Sequence, residues 1–484
     1  MIGVPGMKSL SKNYLYNLSY QLFTLLIPLI TMPYIARALG VEAIGEYSFS
    51  YSIVAYFILL AQFGITNFAQ REIAYHQNDT EKQSCIFFEV CIFQILMVFI
   101  SLIGYYALGL LWGNVTSIYW LQALHIVAVM FDVTWFFQGL EEFGKIVFRN
   151  FLVRFVNIAL LFLLIKTSDD LALYTLIMGG MNIVSGILIC LFLKNYIHKV
   201  PLQKIHPFRN WRAILGLFLP QVAIQIYVVL DKTMLGLFTD AYAENGYYEQ
   251  ADRIIKVLLV VATSLGAVML PRIAANVAKG EVEVIRKYMM LSYRYSFFVT
   301  IPMCFGIIGI ASNFVPWFFG AGYEPVIGVI RIISSILIAV GLSNVTGIQF
   351  MIPTNRQNQL TLSVIVGAIF NFAINLYLIP QFGVNGVAVA TVLTEWIVTV
   401  VQFYMVRDFF CIKAIVRDGI HYLCSGLVML GVVMILSWQL QPSIINTLLL
   451  IVVGGVIYMG VLFLLKDSMV LLFGGKIKQL LCRC

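Results

Sequence analysis

Charge is what this chain has least of: Asp, Glu, Lys and Arg make up 11% of its 484 residues, against about 25% in an ordinary soluble domain. So few charges exclude a solvated surface of the usual kind. Metal-site spacing is missing too. The eight cysteines (85, 91, 190, 304, 411, 424, 482 and 484) include no pair backed by histidines at zinc-ligand distances, and all read as small apolar fillers. Cys482 and Cys484 fall on a tail read as cytoplasmic, where disulfides are disfavoured. There is no phosphate-binding glycine loop followed by Lys-Ser/Thr, no HExxH helix, and no nucleophile–base pair at local spacing. The chain is therefore expected not to be an enzyme, and to need neither cofactor nor metal. Long polar stretches are lacking as well. The longest gap between apolar runs, residues 195–212 (NYIHKVPLQKIHPFRNWR), is too short for a soluble domain.

What fills the chain is hydrocarbon. Hydrophobic residues make up 61%, mean hydropathy is +0.92, and about fourteen runs each approach the roughly 20 apolar residues that cross a bilayer. Their starts fall near residues 13, 44, 84, 117, 147, 171, 213, 246, 287, 325, 358, 385, 419 and 444. Positive charge sits in alternate gaps. One set holds residues from Lys8, Lys12 and Arg71 through Lys194, Arg209 and Arg212 to Arg407, Arg417 and Lys466; the other holds only Arg37 and Lys166. Lys and Arg beside a span resist crossing, so the bias orients the chain with both termini in the cytoplasm. A multi-pass protein of a bacterial inner membrane is expected. Net charge is +8, but its scatter among the inside loops marks topology and not a nucleic-acid surface. Lys8 and Lys12 precede an apolar stretch longer than a signal-peptide core and without a small-residue cleavage site, so that stretch reads as the first span.

The spans group as six, six and two, which sets expected boundaries at residues 1–200, 201–412 and 413–484. The two blocks of six match at a shift of 201 residues, placing Gly45-Glu46-Tyr47 on Gly246-Tyr247-Tyr248. Polar positions follow the same shift. Tyr20, Thr24 and Thr31, on one helical face, fall on Gln221, Gln225 and Lys232, while Tyr51 and Gln62 fall on Asp252 and Thr263. An even number of spans per block makes this a parallel repeat about an axis along the membrane normal, with the polar stripes turned to a central cavity. No Asp, Glu, His, Lys or Arg lies between residues 422 and 465, so the last two spans read as lipid-facing additions.

Six cations fall within spans: Arg154, Lys232, Arg253, Lys256, Arg294 and Arg331. Each would cost about 2.5–3.5 kcal/mol at a helix centre without compensation. Five acids are comparably placed: Glu89, Asp132, Asp231, Asp252 and Glu395. Asp252 and Lys256 are four apart and can neutralise each other. The cations nevertheless fall at two depths, Arg154 and Arg294 toward the cytoplasmic end and the other four toward the outer half. That arrangement suits an anion crossing the membrane. Asn150 and Asn157 beside Arg154, and the pair Asn371 and Asn375, read as helix–helix glue. Trp135, Phe136 and Phe137 read as packing, and His125 as a packed histidine.

Four stretches carry a family likeness: PYIARALGVEAIGEYSFS (33–50), FDVTWFFQGLEEF (131–143), LDKTMLG (230–236) with GYYEQADRI (246–254), and IPQFGVNGVAVATVLTE (379–395). They resemble Wzx-type polysaccharide and O-antigen flippases of the multidrug/oligosaccharidyl-lipid/polysaccharide exporter superfamily. The resemblance implies an all-α integral membrane fold of about fourteen transmembrane helices, with two six-helix lobes around a cationic cavity and two C-terminal helices. It also implies a cargo of undecaprenyl-pyrophosphate-linked oligosaccharide moved between leaflets for O-antigen, capsule or related surface polysaccharide. Polysaccharide polymerase and chain-length proteins would be neighbours, membrane lipids the surroundings, and nucleic acid no partner. The general role of lumenal cations carries over to the six named above.

Two other readings compete. A multidrug or cation antiporter of the same superfamily would use an acidic cavity, for which Asp132, Asp252 and Glu395 are available. The same three carboxylates are the candidates for ion coupling in a flippase. A membrane-embedded polysaccharide polymerase would be expected to carry a sizeable polar outer loop, and gaps such as Gly113–Ser117 and Gln381–Asn385 are short.

Overall fold

The computed structural model describes residues 6–113, 115–239, 241–467 and 469–470, the side chains of 6–26, 219–220, 223–224, 226–227 and 267 excepted. Tyr20 and Thr24 of the repeat, Lys8 and Lys12, and the tail with Cys482 and Cys484 thus lie outside the described side chains. A chain in hydrocarbon must satisfy its backbone internally, and helices do so within one segment. Among the described residues every regular element is helical. In chain order these are α1 (Gly6–Gln62), α2 (Ile65–Tyr75), α3 (Thr80–Trp112), α4 (Ser117–Met130), α5 (Thr134–Gly139), α6 (Phe143–Leu164), α7 (Leu171–Leu191) and α8 (Trp211–Phe238). Then follow α9 (Tyr242–Lys279), α10 (Val282–Phe319), α11 (Pro325–Ile333), α12 (Ile336–Asn344), a π-helical turn (Val345–Met351), α13 (Gln357–Val406), α14 (Ile412–Gln439) and α15 (Ile444–Leu464).

Eleven stretches among the described residues are long and apolar enough to cross a membrane. That number counts α1 and α13 once each, although both break where a glycine leaves helical geometry. Gly40 has φ 78° and ψ 171°, and Gly383 has φ 53° and ψ −130°. A side chain disfavours positive φ, so glycine is the residue that lets the chain turn there without strain. The expected fourteen is reached only if each broken helix crosses twice and α8 crosses as well.

The chain divides into two compact units, Met1–Thr233 with Ala241–Gly246 and Met234–Asp240 with Tyr247–Cys484. In the first, the short α5 drives Trp135, Phe136 and Phe137 into a core with Phe68, Ile73, Phe87 and Phe93. Gly139 permits this approach, since a Cβ there would lie 2.8 Å from the Gln70 carbonyl oxygen of α2. A second core is centred on Tyr105 and Tyr119, stacked at 4.3 Å, each hydroxyl donating to the other's backbone carbonyl. Outward-facing side chains such as Phe155, Leu163, Leu110 and Leu111 stay exposed. On a soluble protein so much exposed apolar surface would be a liability; on a membrane protein it faces lipid.

In the second unit the last two helices dock on α10 through polar bonds. Arg294 Nε donates to Asp418 Oδ2 at 2.7 Å. Asn313 Nδ2 donates to the Gln441 carbonyl at 2.9 Å, Trp317 Nε1 to Thr447 Oγ1 at 2.7 Å, and Tyr458 to the Phe298 carbonyl at 3.3 Å. Helices α14 and α15 leave apolar side chains such as Ile435, Val452, Val456 and Phe463 exposed, as helices in contact with lipid do. Together with α10 they wall an apolar cavity of about 460 Å³, lined among others by Phe298, Pro302, Met429, Val433, Leu450 and Tyr458.

Candidate functional site

In the first unit, the polar positions gather where α1, α4, α6 and α7 meet. Asp132 follows α4, and its Oδ1 accepts the Thr134 backbone N–H at 3.0 Å. Its backbone carbonyl accepts Gln94 Nε2 of α3 at 3.1 Å. Arg149 of α6 is 7% exposed. Its guanidinium donates to Thr134 Oγ1 at 3.2 Å and twice to Asn150 Oδ1, at 3.0 and 2.6 Å. Asn150 is therefore engaged with Arg149. Asn157 Nδ2 reaches Met178 Sδ on α7 at 3.7 Å, a helix–helix contact. Arg154 itself is half-buried and forms no ion pair or hydrogen bond among the described residues.

On α8, Lys232 and Asp231 are neighbours in sequence, the first half-buried and the second buried. The next residue, Thr233, donates to Ser52 Oγ at 3.0 Å and lies 3.1 Å from the Tyr56 hydroxyl, two groups one turn apart on α1. Gln221 and Gln225 are half-buried on the same helix.

Helix α9 of the second unit carries two ion pairs at the i,i+4 spacing that places side chains on one face. Glu249 holds Arg253 at 2.5 Å, and Asp252 holds Lys256 at 2.7 Å. Glu249 escaped the reading of the sequence, although its spacing to Arg253 is the same as that of Asp252 to Lys256. Each pair neutralises charges that would otherwise be costly in hydrocarbon. Lys256 keeps half of its side chain exposed (51%) while Asp252 is largely covered (12%), so ammonium protons remain for a further acceptor. Near the start of α9 the Tyr248 hydroxyl meets Thr391 of α13 at 2.9 Å. Glu395, one turn further along α13, accepts Thr399 Oγ1 at its backbone carbonyl.

The other two cations are partnered from other helices. Arg294 is paired with Asp418, 124 residues away, and so ties α10 to α14. Arg331 of α11 donates to Ser312 Oγ of α10 at 2.6 Å. The six cations thus separate into charge-balanced pairs (Arg253, Lys256, Arg294), a hydroxyl-bound guanidinium (Arg331), Lys232 on α8, and Arg154. Asn375 Nδ2 donates to Asn371 Oδ1 at 3.1 Å, both residues buried, a bond within α13 that does not join two helices. Among the described residues no group of three His, Cys, Asp or Glu side chains could hold a metal ion.

Residues 10–277, more than half of the chain, match the family model described as polysaccharide biosynthesis protein. The chain belongs to that family. A protein of Escherichia coli (strain K12) named "Putative O-antigen transporter" is 27% identical over 409 residues, covering 83% of this chain and 97% of its own length. A protein of the same name from Shigella dysenteriae is 22% identical, covering 79% and 96%. Among solved structures, the lipid II flippase MurJ in an inward closed conformation superposes with a TM-score of 0.74 at 15% identity, over 94% of this chain and all of that one. An inward-facing multidrug resistance transporter of the MATE family follows at 0.62 and 15%, over 82% of this chain and 96% of that one. At such identities the likeness to solved structures concerns the fold. The resemblance to Wzx-type polysaccharide flippases drawn from the sequence holds, and the family member described here is an all-α, multi-pass membrane protein.

Proposed function

We propose that this protein moves an undecaprenyl-pyrophosphate-linked oligosaccharide from the cytoplasmic to the outer leaflet of a bacterial inner membrane. The cargo serves O-antigen, capsule or a related surface polysaccharide, and polymerase and chain-length proteins act after it. The chain works as two six-span lobes, residues 1–200 and 201–412, with the pair 413–484 beside them and both termini cytoplasmic. Alternating access passes the pyrophosphate along Arg154, Lys232, Arg253, Lys256, Arg294 and Arg331, with Asp132, Asp252 and Glu395 available for coupling to an ion gradient.

The observation that carries this reading is the half-exposed Lys256 ammonium held on α9 by Asp252. A pyrophosphate cannot cross hydrocarbon unaided, and a cation fixed within a span replaces part of its hydration. The apolar cavity between α10, α14 and α15 gives a polyprenyl tail a surface that costs it nothing in desolvation. A cation antiporter is less favoured, because carboxylates on α9 are already neutralised by their own helix.

Complementation of a flippase-deficient strain tests the assignment. Lys232→Ala and Lys256→Ala should lower surface polysaccharide about tenfold at matched protein level, a loss corresponding to about 1.4 kcal/mol, and arginine at either position should retain more than glutamine. Full recovery in Asp252→Ala/Lys256→Ala would mean that Lys256 only neutralises its neighbour, and would remove it from the cargo path.

A further inference from the structure

Inside the first unit, polar side chains of α1, α4, α6 and α7 lie around a common space. They surround a cavity of about 230 Å³ whose walls include Tyr51, Gln62, His125, Asp132, Arg149 and Asn182. We infer that this cavity is a subsite for one neutral pyranose ring of the oligosaccharide, an inference that rests on the function proposed above.

Size argues first. At roughly 30 Å³ per water in the liquid, the cavity has room for about eight waters, a space suited to a sugar ring. Charge argues next. One guanidinium and one carboxylate face the same space, a balance that suits a neutral polar ligand and not a pyrophosphate. A polyhydroxylated ring offers a donor and an acceptor at each hydroxyl and can use both. Arg149 is buried and aimed by its bonds to Thr134 and Asn150, while Asp132 is fixed through the Thr134 amide.

The remaining walls supply orientation. Asn182 Nδ2 and His125 Nδ1 are 3.0 Å apart, which engages the amide nitrogen of the exposed Asn182 and leaves its oxygen as an acceptor. His125 is buried with its Nε2 unpartnered. It meets Tyr51 edge-on at 5.2 Å and 86°, and Tyr51 is stacked on Tyr47 at 5.9 Å and 13°. Positioned by these two rings, Tyr51 keeps 40% of its surface exposed. A fixed aromatic face presents a negative quadrupole to the C–H face of a sugar. Few polar groups at fixed positions beside one apolar platform are the usual composition of a small-molecule site.

Isothermal titration of the full-length protein in nanodiscs tests this, with the repeat-unit oligosaccharide released from the host's own surface polysaccharide, free of lipid and phosphate, as the probe. Wild type should bind it. Tyr51→Ala and Asn182→Ala should each weaken binding at least tenfold, while Tyr51→Phe, which keeps the platform, should stay within threefold of wild type. Unchanged binding in both alanine variants, or no binding by folded wild type, overturns the subsite. So does a cation site: alanine variants that bind the saccharide normally yet lose the dependence of transport on sodium or pH. Flipping of the lipid-linked unit by wild type in the same membranes is scored separately. Flipping without saccharide binding removes the subsite and leaves the function, whereas binding without flipping removes the function.

Discussion

Single side chains carry two kinds of duty here, and the difference shows outside the membrane as well as in it. Asp79, between α2 and α3, accepts the Lys82 backbone N–H at 3.0 Å and caps α3 in the way short acidic residues do. That backbone bond, reinforced by the Lys82 side chain, holds the Asp79 carboxyl below its ordinary value. The sign follows directly. A depressed folded-state value means the cap contributes fully above the ordinary carboxylate range and is lost as pH falls through the lowered value. Asp79→Ala should therefore speed amide exchange at Lys82 at neutral pH, after correction for intrinsic rates. The gap to wild type should close below the ordinary carboxylate range; a gap that persists unchanged into strong acid would contradict the cap.

At the scale of elements, two junctions stand out. Gly45 of α1 and Gly246 of α9, which the 201-residue shift places on each other, lie against each other's backbones within the first unit. A Cβ on Gly45 would sit 1.7 Å from the Tyr242 carbonyl oxygen, and one on Gly246 would sit 2.2 Å from that of Val41. Backbone atoms cannot swing aside as a side chain can, so small residues are required for such an approach. Gly45→Ala must separate the two segments, and transport should fall about tenfold or more at matched expression. Because both glycines serve one seam, Gly45→Ala/Gly246→Ala should be little worse than either single change. Normal transport in Gly45→Ala would show that the seam need not close.

The second junction is the clip between α10 and α14. Its partners keep 40% and 18% of their side chains exposed, so the pair should stabilise docking of the last two helices by about 1 kcal/mol or less. In a double-mutant cycle with Arg294→Gln and Asp418→Asn, denaturant unfolding should give a favourable coupling energy of that order. A coupling of zero would mean that α14 is held by packing and by the Asn313, Trp317 and Thr447 bonds alone.

For the whole molecule the testable property is orientation. Positive residues concentrate in alternate gaps of the sequence, a bias that would place both termini in the cytoplasm. Reporter fusions after Arg212 and Arg417 should read cytoplasmic, and one after Gly113, the residue closing α3, should read external. A cytoplasmic reading at Gly113 would reverse the assignment of depth to every cation on the proposed path.

The sequence by itself determined the class of this protein, because the features that decide it are local. Twenty apolar residues in a row leave the backbone no choice but a helix, and runs expected from residues 117, 171, 325 and 444 begin at Ser117, Leu171, Pro325 and Ile444. Pairing of Asp252 with Lys256 was legible for the same reason, since one helical turn sets that distance. Partners far apart in the chain were not. Asp418 as the counter-charge of Arg294, the apolar cavity walled by α14 and α15, and the burial of Arg149 beside Asp132 depend on which helices pack together. Hydrophobic periodicity says that a face is covered without saying by what. Only the tertiary structure brought Tyr51, His125 and Asn182 from three helices to one cavity, because the rotation and register of each helix are set by side-chain packing against its neighbours and not by its own sequence.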